Sequence, residues 1–186
     1  MKTQHALTVA LKEMMASQPL NTISVLELAT KCGISRKTFY YHYHDIYDLL
    51  TQLFLEEKVP NAANAESFND LVVCVFKYYK ENEAFIDATL NSAGKELFSE
   101  FIYNIFYSGA MRFINKLDVD RVLSLNTKKA IARFYAYGYS SSEVYYLSTY
   151  KHKSLEGLVN TYMFLDKKAF NLSVSNAIKM AKKDNE

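Results

Sequence analysis

The sequence predicts an all-α protein, a small N-terminal helical head followed by a larger helical body. Three observations predict it. Apolar residues recur every three or four positions along nearly the whole chain. Five Gly and two Pro in 186 residues are too few for a turn-rich β architecture. Several breaks in the periodicity coincide with helix-capping or stop residues.

The elements follow in order. Ala6, Leu7, Ala10, Leu11, Met14 and Met15 give a first helix, which Ser17-Gln18-Pro19 stops. Ser24 and Glu27 form an S-x-x-E capping box, with Ile23 and Leu28 placed as a hydrophobic staple, so a second helix starts at Ser24. It ends near Cys32, where Gly33 is free to take the left-handed conformation. Ser35 caps a third helix, with Ile34 and Phe39 as its staple, running to about Tyr41. Asp45, with Asp48 three residues on, caps a fourth whose stripe is Ile46, Leu49, Leu50, Leu53 and Phe54. Pro60 and the polar stretch 61–64 mark the boundary between head and body. The expected domains are therefore 1–58 and 59–186.

In the body, Phe68, Leu71, Val72, Val75, Phe76 and Tyr79 form one stripe, and Phe85 and Ala88 a shorter helix ending near Gly94. A long helix carries Leu97, Phe98, Phe101, Ile102, Ile105, Phe106, Phe113 and Leu117, and another covers 126–149. Ser154 caps a helix through Leu155, Leu158, Val159, Tyr162 and Met163, and the tail from Phe170 reads as weakly helical and basic.

Composition limits the function. The net charge is +2, so contact with a polyanion must rest on a local patch. The first 44 residues hold five Lys or Arg against two Glu, a net +3. Cys32 and Cys74 sit in apolar patterns as reduced thiols and make no metal motif. His42 and His44 lack further ligands, so no metal is expected. No G-x-S-x-G, P-loop or H-E-x-x-H motif appears, so neither an enzyme nor a cofactor is expected. No apolar run is long enough for a membrane span, and the N-terminus lacks a secretory core, which makes the cytoplasm the expected location.

The positive signal lies in residues 24–43. Two short helices joined by a tight Gly turn are the core of a helix-turn-helix, with Ala29 small where the helices cross. The second helix offers Arg36, Lys37, Thr38, Tyr40, Tyr41 and His42: cations, donors and flat rings in one stretch. Such a set suits a helix laid N-terminus first into the major groove of duplex DNA. Ser35 and the helix start are expected at a phosphate, with Lys37 and His42 at base edges, Thr38 and Tyr40 on the backbone, and Ser24 among the DNA-binding residues. The alternative is an ordinary solvated helical corner with a basic face.

Residues 22–43 resemble the DNA-binding domain of TetR-family regulators. They match its pattern at Ala29, Gly33, Ile34, Ser35, Thr38, Phe39, Tyr40 and His42, with Tyr43 in place of the usual Phe. Residues 39–50 further resemble a subgroup that includes dihydroxyacetone kinase regulators. Two positions depart from the pattern. Ile46 stands where many members have a phosphate-binding Lys, and Tyr41 where Arg or a small residue is common.

The resemblance implies a homodimer on a palindromic operator, more often a repressor, with a small effector or a protein partner acting through the C-terminal domain. Gly138, Ser141, Tyr145, Leu155, Leu158, Val159 and Tyr162 are the expected dimer face. Phe76, Tyr79, Tyr103, Phe106, Tyr107, Phe134 and Tyr137 are the expected border of an effector cavity, although an aromatic stripe at helical spacing also reads as plain core. The competing reading is a helical coactivator or interaction module that binds a protein and little DNA.

Overall fold

The structure, a computed structural model, describes residues 2–149, 157 and 168–183. Among the described residues there are nine α-helices and no strand: α1 Lys2–Met15, α2 Val25–Lys31, α3 Arg36–His42, α4 Ile46–Glu56, α5 Phe68–Glu81, α6 Glu83–Leu90, α7 Lys95–Leu117, α8 Leu125–Thr149 and α9 Ala169–Lys183. Two single turns of 3₁₀-helix, Leu20–Thr22 and Ala62–Asn64, occupy loops. No helix among the described residues is long and apolar enough to cross a membrane.

The chain folds into two compact units. The first is Met1–Lys58 with Glu81–Phe101, and the second is Val59–Lys80 with Ile102–Glu186. The expected division assigned residues 81–101 to the body, whereas α6 and the first turns of α7 pack with the head. Their rings explain the difference. Phe54 of α4 has Phe85, Phe98 and Phe101 at centroid distances of 5.5–6.0 Å, so the apolar side of α4 finds its cover in a segment remote in sequence. Leu7, Leu11 and Met15 of α1 and Leu49, Leu50 and Leu53 of α4 complete this core, each fully buried Leu or Met contributing about 1.5–3 kcal/mol. Gly94 is tightly placed, since a Cβ there would stand 2.7 Å from a Leu50 methyl. The helix expected to end near Gly94 stops at Leu90.

In the second unit, Phe68 begins α5 and stacks on Phe170 of α9 at 4.5 Å, with Tyr135 and Tyr139 of α8 meeting it edge-on. Phe106 of α7 packs against Phe68 and Tyr139. Gly109 lets α7 approach α5, because a Cβ at that position would lie 2.2 Å from a Leu71 methyl. Arg112 donates to the carbonyls of Ala62 and Ala63 and so fixes the second 3₁₀ turn. Asp118 ends α7: it accepts from the Val122 and Leu123 amides and pairs with Lys128 at 2.8 Å. The tail is more strongly helical than its composition suggests. Phe170 and Val174, one turn apart, are buried, and tertiary burial of that stripe outweighs weak intrinsic propensity.

Candidate nucleic-acid interface

α2 begins with the complete capping box. Ser24 Oγ accepts from the Glu27 amide at 3.1 Å, and the Glu27 carboxylate accepts from the Ser24 amide at 2.9 Å. These bonds hold the Glu27 carboxyl below its usual range, the Ser24 backbone bond contributing most. The carboxylate thus occupies the α2 N-terminus, and Ser24 Oγ is a capping atom that also donates to Glu27.

The turn after α2 is set by backbone geometry. Gly33 has φ +66°, its amide bonds the Thr30 carbonyl at 3.0 Å, and the Ile34 amide reaches back to Ala29 at 3.0 Å. Those two bonds form a Schellman motif, and its left-handed residue favours glycine. Ser35 then caps α3 by accepting from the Thr38 amide at 3.1 Å, and the two hydroxyls bond each other at 2.9 Å.

Phe39 anchors α3 from beneath, fully buried and in ring contact with Tyr40 and Tyr43. With that side turned inward, Arg36, Lys37, Tyr40 and Tyr41 are exposed. Tyr40 is 49 % accessible and Tyr41 84 %. The Arg36 guanidinium lies 5.9 Å from the Tyr40 ring, a cation–π pairing that gathers charge and ring at one end of the helix. Thr38 and His42 are half-buried, and His42 meets Tyr41 edge-on at 5.1 Å. The eight expected contact residues thus divide. Ser24, Ser35 and Thr38 are engaged in capping, His42 lies beside a ring, and the outward surface is carried by Arg36, Lys37, Tyr40 and Tyr41.

The start of α4 is acidic. Asp45 Oδ1 accepts from the Asp48 amide at 2.8 Å, and Asp48 Oδ2 accepts from the His44 amide at 3.0 Å. Ile46 is half-buried there, and Tyr47 beside it is exposed, a ring not included among the expected contacts.

The seven rings expected around an effector cavity fall into separate places. Phe76, Tyr79 and Phe106 are buried in the core of the second unit. Tyr103 stacks on Tyr107 at 5.8 Å and lies 4.5 Å from Tyr137. Tyr137 and Phe134 face outward, at 60 % and 74 % exposure, because helix α8 turns Tyr135, Ala136 and Tyr139 inward. The structure does not gather all seven around one space. The first unit has an open groove of about 530 Å³ that includes Pro19, Tyr47, Asp87 and Asn91.

Of the expected dimer residues, Gly138, Ser141 and Tyr145 are exposed on α8, on the same side as Phe134 and Tyr137. Leu155, Leu158, Val159 and Tyr162 lie outside the described residues. Sequence reasoning missed Glu143, which is buried in the second unit and hydrogen-bonded by Tyr79. Helix phase was the available signal, since residues 132, 135, 136, 139, 140 and 143 share the buried side of α8.

Residues 66–161 match the family model TetR_C_8, described as transcriptional regulator C-terminal region. The fold is similar to the solved structure of a protein named dihydroxyacetone kinase operon activator DhaS, with a TM-score of 0.60 and 21% sequence identity, covering 96% of this chain and 97% of that one. No curated protein sequence matches the chain.

Proposed function

The chain belongs to the TetR family of transcriptional regulators, and from that premise we propose that it is a sequence-specific DNA-binding regulator acting as a homodimer on a palindromic operator. One observation carries the reading: a helix-turn-helix whose second helix is anchored by buried Phe39 and presents Arg36, Lys37, Tyr40 and Tyr41 to solvent. Cations on this face neutralise phosphates, and Tyr41, one turn from Lys37, is the residue proposed for base contact. With Ile46 at the start of α4, backbone anchoring falls to Arg36, Lys37 and Tyr40.

The dimer is part of the proposal. One recognition helix buries little surface, whereas two on successive major grooves gain affinity and select a palindrome. The exposed side of α8, with Phe134, Tyr137, Gly138, Ser141 and Tyr145, is the surface proposed to meet its copy. The second unit is proposed to receive the effector. The regulatory sign is proposed as repression, by occlusion of a promoter. The name of the structural relative, an activator, favours the opposite sign, and a promoter–reporter fusion with and without the protein separates the two.

The direct test is selection of bound sequences from a random DNA pool, followed by mobility shift across salt concentrations. Binding is expected to fall steeply with salt as counterions are released. Lys37→Ala is expected to reduce the slope of log affinity against log salt by about 1, and Tyr40→Phe to weaken binding. If neither variant changes affinity, the face is misassigned. The second reading, a module that binds a protein partner, is favoured by Asp45 and Asp48 at the start of α4. It predicts a co-purifying partner and no salt-sensitive DNA binding.

A further inference from the structure

Glu143 is a carboxyl group placed where water does not reach, at 0 % exposure on the inner side of α8. Its Oε2 accepts the Tyr79 hydroxyl of α5 at 2.7 Å, and its Oε1 has no hydrogen-bond partner. No basic residue among the described ones forms an ion pair with it. Among the described residues, Tyr79 is the side chain that acts on this carboxyl, through its hydrogen bond, and no charged neighbour shifts it. Tyr103 of α7, stacked on Tyr107, lies against Tyr137 on the outward side of α8. A lone carboxylate in such a place is strongly disfavoured, whereas a neutral carboxyl needs only its hydrogen bonds. Burial pushes the Glu143 carboxyl up to about 8, against the lowering effect of the Tyr79 hydroxyl.

We propose that Tyr79 and Glu143 form a proton-occupied latch: the packing of α5 on α8 holds while Glu143 is neutral and loosens when the proton leaves, so that operator affinity falls in alkaline solution. The operator half of this statement rests on the regulator reading above. The proton half rests on the burial of Glu143 and its single hydrogen bond, to Tyr79.

The direction of the pH effect follows from linkage. The folded chain holds this proton more tightly than the unfolded chain, whose carboxyl has the ordinary value of 4.5. The stabilisation is complete below that value and is lost as pH rises through it toward about 8, levelling off above. Within that window the folding equilibrium constant is expected to fall by about tenfold per pH unit through this group.

Infrared difference spectroscopy of the full chain tests the latch directly. Wild type is expected to show the C=O band of a protonated carboxyl at pH 7, fading above pH 8 and absent from Glu143→Gln. The difference in stability between wild type and Glu143→Gln, read by urea unfolding from pH 5 to 9, is expected to shrink as pH rises from 5 and to level off above about pH 8. Tyr79→Phe removes the bond that favours ionisation, so its band should persist to higher pH than in wild type. This second variant keeps the test decisive if Glu143→Gln does not fold. Absence of the band from wild type at pH 7 overturns the proposal, as does a band unaltered in Glu143→Gln. Mobility shifts at pH 6.5 and 8.5, using a duplex recovered from the random pool, read the operator half. Weaker binding at 8.5 in wild type but not in Glu143→Gln supports it, and equal pH dependence in both overturns it. A chain that shows the band and its pH curve but binds no DNA at either pH supports the latch and removes the regulator reading.

Discussion

The dipeptide Tyr-Tyr occurs three times in the chain, and the copies at residues 40–41 of α3 and 78–79 of α5 are used in opposite ways. Tyr40 and Tyr41 stand in solvent, while Tyr78 and Tyr79 are sealed in the core of the second unit. Tyrosine has an apolar body and a polar tip, so its own chemistry does not decide between them. The neighbours decide. In α3 only Phe39 is fully buried, and Arg36, Lys37 and His42 surround the pair. In α5 the pair ends a run of Leu71, Val72, Val75 and Phe76, and the buried hydroxyl of Tyr79 meets Glu143. Exposed rings on a short, rigid helix are available to a partner. Buried rings tied to a carboxyl fix one packing and make it responsive to protonation.

Four substitutions break or sharpen this contrast. Phe39→Ala removes the anchor that turns the first pair outward, and about 3–5 kcal/mol of stability should be lost, read by urea unfolding together with loss of DNA binding. Tyr79→Phe leaves the Glu143 carboxyl without its donor, an expected loss of about 1–3 kcal/mol at neutral pH with no direct change at the α3 face. Ser35→Ala deletes the α3 cap and should lower stability by about 1 kcal/mol, with faster amide exchange in residues 36–42. Tyr41→Ala should leave stability within about 0.5 kcal/mol of wild type yet change the sequences recovered from a random DNA pool. A large stability loss from Tyr41→Ala would show that the exposed pair has a structural role after all.

The head was largely readable from sequence because its signals are local. Ser24 with Glu27, Ser35 and Asp45 each cap a helix as their spacing indicates, and Gly33 takes the left-handed turn. Contacts between segments distant in sequence were less visible. Nothing near Phe85 or Phe98 reveals that they complete the first unit around Phe54. The outward setting of Phe134 and Tyr137 also ran against the expectation of a ring-lined cavity, since hydrophobicity alone does not give the phase of α8. Glu143 follows the run Ser140-Ser141-Ser142 and resembles a solvated stretch until helix phase places it inward. Burial of the tail through Phe170 and Val174 likewise depends on α8 and on Phe68, far back in the chain.

The left-handed residue at position 33 has one more implication. Its two backbone bonds set the direction of α3 in the free chain, so under the proposed function the conformational freedom that a mobile reading head must give up at the groove has already been surrendered on folding. Insertion of one residue beside Gly33 would therefore be felt as a slower, entropy-limited search for the groove even where every side chain of the reading face is retained.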